Sequence, residues 1–204
     1  MMLDYTYEIA AAEKGYRSIC GVDEAGRGPL AGNVVAAAVI MPEGLVIDGL
    51  NDSKKVSPKK REALFEIITR ECVYAIAWAT PKEIDELNIL GATMLAMRRA
   101  IEALPTPADF ALIDGNRATG FAVPTETVIG GDAKSPSIAA ASILAKVTRD
   151  RQCLELDARY PEYGFAGHKG YPTKEHMQKV MELGPCPEHR RSFLSFTGRK
   201  EWML

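Results

Sequence analysis

Four carboxylates stand where apolar segments end: Asp23 and Glu24 behind the first such segment, Asp114 behind Phe110 to Ile113, and Asp132 behind Gly130-Gly131. Acids at the carboxyl ends of buried strands occupy the edge where open α/β sheets place their ligand sites. Two carboxylates about 4 Å apart repel by roughly 4 kcal/mol at an effective dielectric of 20, so four that converge demand cations. Oxygen-only ligands favour the hard ions Mg2+ or Mn2+ over zinc, and paired ions that clamp attacking and leaving oxygens are a standard route to phosphodiester hydrolysis. A single acid at a strand end is most often a helix cap or a turn residue. The adjacent Asp-Glu pair weighs against that reading, because two like charges at one strand end are costly without a partner. Periodicity alone does not bring the four together.

Directly after the pair comes Gly26-Arg27-Gly28-Pro29-Leu30-Ala31-Gly32. Its glycines let a ligand approach the main chain closely. A dinucleotide-binding turn needs GxGxxG opening a helix, whereas here the spacing is GxGxxxG and the β-branched run from Val34 follows. What remains is a structural hairpin, or a loop whose amides and Arg27 hold a sugar-phosphate. Cys186-Pro187-Glu188-His189 has no second ligand pair and does not read as a zinc site.

The elements that must position these groups read as strands first, then helices. Strands are expected over Arg17 to Val22, Val34 to Met41, Val73 to Thr80 and Phe110 to Ile113, all apolar or β-branched and bracketed by Gly or Pro. Ser57-Pro58 and the capping box Thr80-Pro81-Lys82-Glu83 start helices, and a further apolar pattern runs from Ala92 to Leu104. Ser135-Pro136 opens the longest helix, about 136–159, whose Ala139, Ala140, Ala141, Ser142 and Ala145 allow close approach to a sheet. Thr173 to Leu183 is the last clear helix, stopped by Gly184-Pro185. The expected fold is α/β, a mixed sheet flanked by helices, forming one domain with a small helical C-terminal portion from about 160 to 204.

With 204 residues, 47% hydrophobic and 25% charged, the chain has room for one good domain and no second full-sized one. Its longest apolar run, Val34 to Met41, is far short of the roughly 20 residues that cross a membrane. Acids at Asp4 and Glu8 stand where a secretory signal is basic and then apolar, so a cytoplasmic location is expected. Four widely spaced cysteines suggest no disulfide framework and fit a reducing compartment. The net charge of -2 hides an asymmetry: residues 1–133 carry 13 Lys+Arg against 19 Asp+Glu, and residues 134–204 carry 12 against 8. An acidic part that needs cations, joined to a basic part, suits an enzyme that holds metal ions and a phosphate backbone together.

Seven stretches together closely resemble the type 2 ribonucleases H, in their bacterial ribonuclease HII branch. They are GVDEAGRGPLAG (21–32), NDSKKVSPKKRE (51–62), EIDELNI (83–89), LIDGN (112–116), GGDAKSPSIAAASILAKVTRD (130–150), YGFAGHKGYPTKEH (163–176) and GPCPEHRRSF (184–193). Asn33 and Asn51 depart from the usual pattern without touching the chemistry. The resemblance implies a ribonuclease H-like fold and endonucleolytic cleavage of RNA in RNA/DNA hybrids. It also implies cutting 5′ to a single ribonucleotide in duplex DNA, leaving 3′-hydroxyl and 5′-phosphate ends, with Mn2+ or Mg2+ as cofactor. By motif, Asp23, Glu24, Asp114 and Asp132 correspond to the metal-binding catalytic carboxylates. Gly26, Arg27 and Gly28 correspond to the ribose-reading loop that addresses the 2′-hydroxyl, the feature marking a ribonucleotide in DNA. Tyr171 corresponds to the tyrosine that packs on the sugar beside the scissile position.

Lys54 and Lys169 are the foremost candidates for backbone contacts, followed by Ser53, Asn88, Ser135, Ser137, Lys146 and His168. Ser135 reads equally as a helix cap, and Lys59-Lys60-Arg61 as a solvated face. The expected partners are RNA/DNA hybrid and ribonucleotide-containing duplex DNA, with no membrane and a monomeric protein. The family also admits a C-terminal sliding-clamp contact, for which TGRKEWML (197–204) shows no motif. Two rival classes remain: a non-catalytic nucleic-acid-binding module, suggested by the basic C-terminal part, and a nucleotide-dependent oxidoreductase, suggested by the glycine loop.

Overall fold

The computed structural model describes residues 3–203. Five strands form one mixed sheet: β1 (Ile19–Ala25), β2 (Val34–Ile40), β3 (Val73–Ala79), β4 (Phe110–Asp114) and β5 (Thr125–Val128), in the order β3-β2-β1-β4-β5. β1 is central, antiparallel to β2 and parallel to β4, so the loop 26–33 turns back at the edge where β4 ends.

Alternation along β1 sorts its side chains. Cys20 and Val22 join Ala36 and Ala38 of β2 against α3 (Pro81–Glu102) on one face. On the other face Ala37 and Val39 pack against α2 (Pro58–Glu71) and α4 (Pro136–Arg159). Gly21 also faces α4, which lies so close that a Cβ there would come 2.2 Å from the backbone of Ser137 and Ile138. The small residues 139–142 and 145 of α4 are all buried, as that approach requires.

The expected α/β arrangement holds, with corrections. The first strand is not Arg17 to Val22: it extends through Asp23 and Glu24, which pair with Ala37 and Ala36, and ends only where Gly26 turns with φ 97°. Asp114 is likewise the last residue of β4. Ser57, Thr80, Ser135 and Thr173 cap their helices through side-chain bonds, and Thr80 and Glu83 complete the capping box. The Thr80 and Ala92 patterns run into one helix, α3, broken at Asn88 (φ 58°, ψ 169°).

The sequence reading missed α1 (Thr6–Glu13) and the polar edge strand β5. The C-terminal portion consists of α5 (Phe165–His168), α6 (Lys174–Leu183) and 3-10 turns over 161–163, 191–197 and 200–202. It forms a small core of its own, with Phe165, Val180 and Leu194 closing on Ala31 of the glycine loop. Among the described residues, no helix is long and apolar enough to cross a membrane.

Candidate active site

Because β1 carries Asp23 and Glu24 in succession, the two carboxylates leave opposite faces of the strand. Asp23 is only 6% exposed and has Ser142 of α4 beside it. Glu24 is half-buried and shares a recess with Leu90 and Thr93 of α3 and with Asp114. A short bond brings in the fourth acid: the Gly131 amide donates to Asp114 Oδ1 at 2.7 Å, which fixes the 3-10 turn Gly131–Ala133, and Asp132 with it, beside the end of β4.

The electrostatics of this arrangement are unfavourable as it stands. Burial, then Glu24 and Asp114, push the Asp23 carboxyl well above the ordinary carboxylate range. Burial raises Glu24 as well, with Arg27 pulling it back and Asp114 adding to it. Asp132 is raised by burial, then by Asp114 and Asp52. Burial lowers Lys54, but attraction to Asp132, Asp23, Asp52 and Asp114 outweighs it, so that this ammonium is held charged among the acids.

A cluster of hard oxygen donors in which burial, and after it mutual repulsion, raises three carboxyl pKa values has the chemistry of a divalent-cation site. The cage is not preformed, since among the described residues no three acid, histidine or cysteine side chains already converge on one point. Instead Glu24 turns to Arg27 at 3.3 Å, and Asp23 Oδ1 accepts from the Glu24 amide at 2.7 Å.

A stability test follows from the sign of these shifts. A carboxyl whose folded pKa is raised destabilises the fold above its ordinary pKa, and the penalty fades as pH falls through the raised value. Chelator-treated Asp23→Asn is therefore expected to melt a few degrees above wild type at pH 7, since about 1 kcal/mol moves Tm by ~2–4 °C at this size. The difference should close below about pH 4. Mn2+ should raise wild type and leave Asp23→Asn nearly unmoved; equal melting of the two proteins, with and without metal, would refute the strained-cluster description.

Next to the acids lies a cleft of about 370 Å³, walled by Asp23, Glu24, residues 25–29, Lys54, Lys169 and Tyr171, with Ser53, Ser142, Lys146, Arg149 and Asp150 completing it. Tyr171 stands at its mouth, 46% exposed, and a Cβ on Gly28 would lie 3.4 Å from its ring, so the second glycine leaves the aromatic face close to the main chain. Gly26 admits no side chain, because a Cβ would meet the Arg149 guanidinium at 2.4 Å.

Two buried arginines that the sequence reading did not single out hold this loop. Arg190, fully buried, makes six hydrogen bonds to the carbonyls of Gly26, Arg27, Pro29, Gly32 and Asn33 at 2.6–3.2 Å. Burial, then Arg149, brings its pKa down to about 9, so it stays charged at neutral pH. Arg149 donates to Ala31 O at 2.9 Å and to Lys169 O at 3.3 Å. The Leu30 and Gly32 amides are taken by Gly170 O and Glu188 O. Among the described residues, the Arg27 and Gly28 amides donate to no protein group.

The weaker candidates separate. Ser53, Lys54, Lys146 and Lys169 line the cleft, Lys146 held by Asp150 at 2.6 Å. Ser135 and Ser137 do not reach it: both are fully buried and donate to Glu8 Oε1 at 2.6 Å. Asn88 accepts from the Leu90 and Gly91 amides, capping the second half of α3. His168 is bonded to Tyr163 O and the Gly170 amide behind the loop. The positive charge of residues 134–204 is also not all a surface, since Arg149 and Arg190 are buried.

The ribonuclease HII family model matches residues 20–196. A ribonuclease HII of Syntrophotalea carbinolica is 54% identical over 188 residues, covering 92% of this chain and 90% of that protein. The ribonuclease H2 of Pyrococcus horikoshii OT3 superimposes with TM-score 0.73 at 27% identity, over 92% of this chain and 97% of that one. Bst-RNase HIII, in its complex with Mn2+, shares the fold with TM-score 0.63 at 16% identity, over 86% of this chain and 66% of that one.

Proposed function

The chain belongs to the ribonuclease HII family, and from that premise we propose that it is a divalent-metal-dependent endoribonuclease that cuts the RNA strand of RNA/DNA hybrids and cuts 5′ to a single ribonucleotide in duplex DNA. The observation that carries this reading is the juxtaposition of Asp23, Glu24 and Asp132, each repelled by Asp114, with a loop whose carbonyls are turned onto a buried arginine.

Asp23, Glu24, Asp114 and Asp132 would hold Mn2+ or Mg2+, which when bound supply charge stabilisation to the attacking and leaving oxygens. The protein's own groups do the rest. Arg190 keeps the loop rigid, and the Arg27 and Gly28 amides, with no protein acceptor, suit a ribose 2′-hydroxyl or the phosphate next to it. Lys54, drawn in by the acids, and Lys169, which also lines the cleft, suit the flanking phosphates. Tyr171 suits stacking on the adjacent sugar.

Labelled duplex DNA with one ribonucleotide, incubated with Mg2+, Mn2+ or chelator, tests the reading. A single metal-dependent cut 5′ to the ribonucleotide is expected, and an all-DNA duplex should stay intact. Binding without cleavage under every condition would favour the non-catalytic rival. Tyr171→Ala is expected to lower kcat/KM on this substrate by about tenfold or more, the scale of the roughly 1.5–3 kcal/mol that burying a large apolar side chain contributes; an unchanged kcat/KM would remove the tyrosine from the site.

A further inference from the structure

All three histidines of the chain gather behind the glycine loop. His168 stacks on His176 with ring centroids 4.2 Å apart, and His176 lies 5.2 Å from His189. Their hydrogen bonds have one consistent direction. The Cys186 amide donates to His189 Nδ1 at 3.1 Å, which puts that ring's proton on Nε2. Nε2–H then donates to His176 Nε2 at 3.1 Å, which puts the His176 proton on Nδ1, and Nδ1–H donates to the Tyr171 carbonyl at 2.9 Å. The line runs from the C-terminal segment to the main chain of the residue at the cleft mouth, through two side chains that are wholly buried.

The strap that this line supports is strained and tied at each polar group. Lys169 has φ 52°, an uncommon conformation for a residue with a side chain, and Gly170 follows at φ 80°. The Gly170 amide donates to His168 Nδ1, the Tyr171 amide to His168 O, and Gly170 O accepts from Leu30 of the loop. Burial lowers His176 to about 4 and His189 to about 3, so both are neutral at the pH of the cell and keep the donor-acceptor order.

We propose that His176, oriented by His189, is a positioning residue for cleavage: its Nδ1–H fixes the Tyr171 main chain and thereby the pitch of the Tyr171 ring over Gly28. This rests on the reading above that Tyr171 packs on the substrate sugar. The carbonyl on which the line ends also accepts from the Thr173 amide at 2.8 Å, so Nδ1–H is its second donor. A side chain misplaced by about 1 Å can cost up to 10²-fold in rate.

The test is a double-mutant cycle on duplex DNA carrying one ribonucleotide, with kcat/KM expressed per folded molecule. His176→Leu is expected to lose roughly tenfold, and in the Tyr171→Ala background the same change should cost less than about twofold, because the group it acts through is gone. His176→Asn, whose amide N–H stands where Nδ1–H stood, should recover to within about threefold of wild type. His176→Gln, whose donor lies farther out, should not, and it replaces His176→Leu in the cycle if the leucine variant does not fold. Losses that multiply in the double variant, or equal activity of the Asn and Gln variants, would overturn the positioning role. So would a Tyr171→Ala protein as active as wild type. A wild-type protein that folds but does not cut would overturn the nuclease reading itself, a different result from additive losses.

Discussion

Asp23→Asn and Asp114→Asn are expected to lower the rate of cutting at a single ribonucleotide by about 10³-fold or more while holding the uncut duplex within about threefold of wild-type affinity. The split follows from where the acids sit. Asp23 is buried and lines the cleft beside Ser142 of α4, Asp114 is bonded to the turn that bears Asp132, and an ionised carboxylate has no donor to offer a phosphate. Groups suited to grip the nucleic acid, Lys54, Lys169, Tyr171 and the 26–28 loop, line the cleft walls and remain. Removing one negative charge from a repelling cluster should not weaken a polyanion's binding. The check is single-turnover cleavage beside binding measured in chelator. Undiminished cutting, or a loss of binding that matches the loss of rate, would remove these acids from the chemistry.

The second large effect is at Arg190. Replacing it by Lys keeps the charge but not the planar fork that reaches five carbonyls. Most of those oxygens would be left buried without donors, and breaking a buried charged network of this kind costs about 3–5 kcal/mol. For a domain of this size that corresponds to a fall in Tm of roughly 6–20 °C. Below the lowered Tm, cutting at a single ribonucleotide should fall more than cutting of a long RNA/DNA hybrid, since an isolated ribonucleotide offers the loop one 2′-hydroxyl to find. Melting within about 2 °C of wild type would show that the loop holds its shape without Arg190.

How much of this was legible in the sequence depended on range. Asp23, Glu24, Asp114 and Asp132 could be read because each stands within two residues of a glycine where an apolar run breaks off, a local signal, and the helix caps are local too. The end of β1 was misplaced because acids inside a strand look like its end; only pairing with Ala36 and Ala37, and the turn at Gly26, extend it. Ser135 and Ser137 looked available for phosphate, and it is Glu8, more than 120 residues away, that takes both hydroxyls. α1 was missed for the same reason, since its one buried acid answers a distant partner. Arg149 and Arg190 lay inside two of the quoted stretches and in the net charge but received no role, because nothing local says which carbonyls a buried guanidinium will reach. His176 and His189 stood in the quoted stretches, and His189 was weighed only as a zinc ligand, because the spacing of two histidines does not say which carbonyl ends the line.

Asp23, Glu24, Asp114 and Asp132 are proposed to hold the ions that make the cut. Anomalous diffraction at the manganese edge, from crystals grown with Mn2+ and a duplex carrying one uncleavable ribonucleotide analogue, tests it most directly. Manganese peaks enclosed by these four side chains, absent from Asp23→Asn crystals, are expected. Manganese bound elsewhere, in a protein that still cuts with Mn2+ in solution, would contradict it.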